Sequence, residues 1–179
     1  MLEYFGLKDA KLRNPIHRRS WFPLLQEQAD SIRDTAIFGM LGRSVNITDG
    51  TYVYQRNAVR KDNMLLYIYG STLTMLEQYI GYDSTEEEDF AKIEMTHLPW
   101  TKFPVYKIPG SAVVWNNDSC YFHVRMKGIQ GNMQYDIKHD YGPECPLSDE
   151  VQEKRMCALL KETLQTFDAP CEQYIRLGL

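Results

Sequence analysis

The chain lacks an apolar run approaching the roughly 20 residues that a membrane-spanning helix needs. It also lacks the pattern of a secretory signal, because Met1-Leu2-Glu3-Tyr4-Phe5 is short and carries an acid. It is therefore expected to be neither secreted nor membrane-spanning. Cysteine is scarce, with only Cys120, Cys145, Cys157 and Cys171. Free thiols in a reducing compartment are expected, with no disulfide framework. Phosphate-loop chemistry is missing: Gly39-Met40-Leu41-Gly42 has neither the Lys nor the second half of the motif. His97-x-x-x-Thr101 and His123-x-Arg125 do not form the paired His-x-Thr motifs of two-histidine phosphoesterases. Internal repeats, low-complexity linkers and a convincing domain boundary are absent as well. A net charge of −4 argues against general nucleic-acid binding.

Aromatic residues are plentiful. Twelve Tyr, seven Phe and three Trp in 179 residues favour a sheet-rich or interface-rich protein. The most legible stretch runs from Ser111 to Tyr141 and predicts a three-stranded antiparallel meander. Cys120, Phe122, Val124 and Met126 alternate with Tyr121, His123, Arg125 and Lys127, the period of a half-buried strand. Gly131-Asn132 suits a two-residue type II′ turn. That turn sets Met126 opposite Ile137, Lys127 opposite Asp136 and Gly128 opposite Tyr135. The polar turn Asn116 to Ser119 sets Val113 on Phe122 and Trp115 on Cys120. The covered face is then expected to hold Val113, Trp115, Phe122, Val124, Met126, Tyr135 and Ile137.

Upstream, Trp21-Phe22-Pro23 predicts a helix start, and Leu25, Ala29, Ile32, Ala36 and Met40 a buried stripe running to a cap at Gly42. Strands are expected at Tyr52-Val53-Tyr54 and at Met64 to Tyr69, the second central in its sheet, around a polar loop from Asn57 to Asn63. Leu73, Leu76, Tyr79 and Ile80 suggest a short helix closing at Gly81. Asp83 to Asp89 is an acidic block suited to the first turn of a helix. Three prolines make residues 97–110 irregular or edge-like. Ser148 is expected to cap a last long helix with a stripe of Val151, Met156, Leu159, Leu160, Leu164 and Phe167. Asp168-Ala169-Pro170 ends it, and Cys171 to Leu179 is an amphipathic tail. The fold class expected is α+β: a basic arm over residues 1–20, then a single domain over 21–179, mostly antiparallel sheet with an N-terminal and a C-terminal helix packed on it.

Few residues suggest chemistry. Cys120-x-x-His123 with His139-x₅-Cys145 has the content of a zinc site but a poor geometry, since positions 120 and 123 of one strand point to opposite faces. No metal and no cofactor is expected. His139, Asp140 and Cys145 offer a thiol, a base and an acid without a nucleophile signature around them. The arm points outward instead. Lys8, Lys11, Arg13, Arg18 and Arg19 give residues 1–20 a charge of +3 against −7 for the remainder. With His17 they flank Trp21 and Phe22. Basic charge beside aromatics suits an anionic lipid surface, RNA or an acidic partner, including the acidic block of a second copy.

This organisation resembles the matrix proteins of negative-strand RNA viruses, with the small rhabdovirus members nearest in size. The resemblance lies in the short basic arm, the aromatic-rich mixed domain and the C-terminal helix on the sheet. The chain lacks the Pro-Pro-x-Tyr motif of the animal rhabdovirus pattern, and its total charge is acidic. The resemblance implies a non-enzymatic, self-associating viral structural protein in the virion or host cytoplasm, bridging an anionic membrane surface, RNA or nucleoprotein to its neighbours. A small hydrolase using Cys145 and His139 is the alternative from another class, and a host-directed accessory binding protein is a third.

Overall fold

The structure, a computed structural model, describes residues 2–8, 10–11, 19–39, 44–59, 67–75, 78–79, 87–112, 131–140, 142 and 144–179. Its longest helix and its largest sheet form one layered core. Strands β1 (Ala36–Gly39), β2 (Val45–Thr48), β3 (Tyr52–Arg56) and β9 (Met133–Asp136) pair in that order, all antiparallel. The register sets Ile37 beside Ile47, Ile47 beside Tyr54 and Tyr54 beside Gln134, one row across four strands. Helix α3 (Glu150–Thr166) covers that row. Ile47, Tyr54, Met156, Leu160, Leu164 and Leu177 form the buried cluster between them. Each such side chain contributes about 1.5–3 kcal/mol on leaving water.

Helix α3 begins where Asp149 accepts from the amides of Val151 and Gln152, both at 3.0 Å. The cap is thus Asp149, one residue after Ser148: its carboxylate accepts from the free amides, and its charge favours the helix N-terminus. The expected stripe is partly corrected. Met156, Leu160 and Leu164 are buried together with Thr163, whereas Val151 is 79% exposed and Phe167 lies beyond the last turn. A Pro170 break leads into α4 (Cys171–Leu177), which ends at Gly178 in the left-handed conformation.

A second sheet has the order β4 (Tyr67–Gly70), β8 (Pro104–Pro109), β7 (Glu94–His97). It corrects two expectations. Tyr67 to Gly70 is an edge strand among the described residues, and the proline-bounded segment is the middle one. The register explains why. Pro104 faces His97 and Pro109 faces Tyr67, so each proline closes an end of its strand and Val105 to Ile108 supply the ladder. Ile68, Ile108 and Ala112 form the buried cluster of this sheet.

Two expected helices do not form as drawn. The N-terminal one is a single turn, α1 (Phe22–Leu25). Beyond it the Ser31 hydroxyl bonds the carbonyl and amide of Arg33, offering the backbone a local turn in place of helix. Ile37 and Phe38 then gain more as strand partners of Ile47 and Asn46. β5 (Thr74–Met75) pairs antiparallel with β6 (Gln78–Tyr79), where a helix was expected. Of the acidic block, Glu87, Glu88 and Asp89 do open a helical turn, α2 (Glu87–Phe90). Most of the predicted meander, residues 113–130 with Met126, lies outside the described residues. In its last strand the side chain that faces α3 is Gln134, not Tyr135, and Gln134 Nε2 donates to the Asp149 carbonyl at 2.7 Å.

Candidate functional site

The N-terminal segment folds back on itself. Leu7 donates its amide to the Leu2 carbonyl at 2.8 Å, and Gly6 turns the chain with φ +70°. The Ser20 hydroxyl, and after it Lys8, hold the Glu3 carboxyl below the usual range, so both ends of the arm meet at one carboxylate. Lys8 Nζ lies 3.4 Å from Glu3 Oε1, an exposed pair of small energetic weight. Lys11 is exposed, and Arg19 donates from Nη1 to the Ile32 carbonyl at 2.9 Å. Neither forms an ion pair among the described residues. Arg13, His17 and Arg18 lie outside the described residues.

Apolar side chains accompany these cations. Trp21 is 67% exposed and Leu25 75%, while Phe22 is half-buried. Tyr4, Phe5 and Leu7 are also exposed, and the Tyr4 and Phe5 rings meet edge to face with centroids 5.2 Å apart. Reading the sequence for charge misses these three and Leu25. For Tyr4, Phe5 and Leu7 the signal is an apolar stretch with no recurrence at helical or strand spacing, hence no face to bury; Leu25 was expected in a buried stripe and is exposed instead. Five large exposed apolar residues within positions 4–25 are more than solvation of an arm requires.

The alternative site does not assemble as a Cys-His-Asp arrangement. His139 Nδ1 pairs with Asp136 Oδ2 at 2.8 Å, and that contact is the main reason the Asp136 carboxyl titrates below its ordinary value. Asp140 instead accepts from the amides of Glu144 and Cys145 at 3.1 and 3.4 Å, shaping the loop rather than orienting a base. Cys145 is an exposed free thiol with no hydrogen bond to His139 among the described residues. Cys120 and His123 lie outside the described residues. Among the described residues no group of His, Cys, Asp or Glu is arranged to hold a metal ion, and no helix is long and apolar enough to cross a membrane.

No family model matches this chain, no curated protein matches it, and no solved structure matches its fold.

Proposed function

We propose that this protein is a non-enzymatic, self-associating assembly protein of the matrix type, working through its N-terminal segment. The observation that carries this reading is the coincidence, within residues 4–25, of exposed Tyr4, Phe5, Leu7, Trp21 and Leu25 with the cations Lys11 and Arg19. Apolar side chains supply contact area, and the basic residues steer the segment toward negative charge. The partner in closest supply is a second copy, whose remaining residues carry −7. An anionic membrane surface or nucleoprotein would present the same sign of charge, which is how such a protein bridges a surface to its neighbours.

The test is light scattering against protein concentration, with and without anionic liposomes, on the wild type and on a variant with Lys11, Arg13, Arg18 and Arg19 all replaced by Ser. The wild type is expected to associate, and the variant to associate more weakly at low salt with an unchanged unfolding midpoint. A wild type that stays monomeric at high concentration, with and without liposomes, overturns the proposal.

A further inference from the structure

A cleft of about 320 Å³ lies between the end of α3 and the segment leading into β1. Arg19, Arg33, Asp34 and Glu162 line it, beside the apolar Leu159 and Phe167. Its size sits at the lower bound of small-molecule sites, which run from about 300 to 1,000 Å³. Arg19 spends one N–H on the Ile32 carbonyl. The side chains of Arg33, Asp34 and Glu162 have no hydrogen-bond or ion-pair partner among the described residues. Two guanidiniums and two carboxylates thus border one space without pairing across it.

That arrangement selects by charge. A simple anion meets two carboxylates, and a simple cation meets two guanidiniums. A molecule carrying both charges satisfies both sets at once. Of the three threonine hydroxyls in the wall, two are turned to their own helix: Thr163 donates to the Leu159 carbonyl at 2.7 Å and Thr166 to the Glu162 carbonyl at 3.1 Å, which leaves Thr35.

We propose that this cleft binds a small zwitterion with an apolar tail, of the α-amino acid class. A guanidinium fork takes the ligand carboxylate through paired N–H donors. Glu162 or Asp34 takes the ammonium, and the tail lies on Leu159 and Phe167. The cleft shares Arg19 with the arm, so it is tested through Arg33 and Glu162, which the four-residue arm variant leaves intact.

Titration of the full chain with L-phenylalanine and L-leucine, followed by amide NMR, tests it. At least one is expected to give saturable shifts at residues 33–35 and 159–167. N-acetyl-L-phenylalanine, without the ammonium, and L-phenylalanine amide, without the carboxylate, should each bind about tenfold more weakly or worse. Arg33→Gln and Glu162→Gln should do the same to the parent ligand while leaving the unfolding midpoint in place. Equal binding of either blocked analogue would reduce the cleft to a site for one charge and overturn the proposal. So would the absence of any shift up to about 10 mM of both amino acids, where even millimolar affinity registers.

Discussion

Lys107 Nζ stands 2.8 Å from Glu172 Oε1, and this ion pair ties the middle strand of one sheet to the helix that completes the core of the other. The Tyr69 hydroxyl donates to the same oxygen at 3.3 Å, and the Lys107 ammonium lies 4.1 Å from the centre of the Tyr67 ring. Lys107 is the main cause that draws the Glu172 carboxyl down to about 2, against the opposing effect of burial. The folded value is below the ordinary one near 4.5, so the pair stabilises fully above about pH 5 and fades as pH falls from there toward 2. Glu172→Gln is expected to lose about 1–3 kcal/mol at pH 7. It should also lose less stability than the wild type between pH 5 and 3. Urea unfolding at pH 7, 5 and 3 measures both, and parallel losses in the two proteins would remove the pair from the acid transition.

Arg56 is a clamp on the end of the chain as described. Its Nε and Nη2 donate to the carbonyls of Leu177 and Gly178 at 2.8 and 2.9 Å, and its Nη1 to the Tyr54 hydroxyl at 3.1 Å. Tyr54 in turn donates to Glu153 at 3.0 Å. Burial is the main cause that pushes the Tyr54 phenol up to about 12, so it remains a donor at every ordinary pH. A lysine carries one point charge where the clamp needs a fork. Arg56→Lys is therefore expected to cost about 1–3 kcal/mol. Hydrogen exchange should show Cys171–Leu177 losing protection ahead of Glu150–Thr166. Uniform loss across both helices would mean the clamp is not local.

These two relationships also mark where the sequence stopped being readable. The α+β class, the strand around Tyr52 to Tyr54 and the long final helix follow from periodicity, because each segment buries one face against the other. The first helix failed because Leu25, Ala29, Ile32 and Ala36 fit a helical stripe that no partner element receives, while Ser31 and the pairing of Ile37 with Ile47 favour other conformations. The proline-bounded strand was hidden because the cost of a proline depends on whether a neighbour faces it, a property of register and not of composition. The arm's charges were visible in the sequence. Of the charges of the cleft only Arg19 was among them, since Arg33 and Glu162 are separated by more than a hundred residues and meet only in the fold.

Gly178 closes α4 with φ +63°, and a Cβ built there would stand 2.6 Å from Val59 Cγ1. Gly178→Ala meets two penalties, a left-handed backbone and a side-chain clash. Together they are expected to cost about 1–3 kcal/mol. Val59 is largely exposed, so trimming it is cheap by itself. The double variant Val59→Ala with Gly178→Ala should recover the clash and leave the backbone cost of about 1 kcal/mol. Thermal unfolding of the four proteins separates the two. Full recovery in the double variant would show that backbone conformation contributes nothing here.

The N-terminal segment joins two forces that respond differently to salt. Attraction between its cations and a partner is screened over a Debye length of about 8–10 Å at ordinary ionic strength, and over about 3 Å at 1 M. Contact through Trp21 and Leu25 removes apolar area from water and is not screened. Replacing Lys11, Arg13, Arg18 and Arg19 by Ser is therefore expected to weaken association at low salt and to change little at 1 M. Replacing Trp21 and Leu25 by Ser should weaken it at both. Both apolar residues are exposed, so the second variant should keep the unfolding midpoint of the wild type. Sedimentation velocity at low and high salt on the three proteins gives the six values needed. A Trp21 and Leu25 variant that associates as strongly as the wild type at 1 M salt would show that these two side chains lie outside the contact and would overturn their part in it.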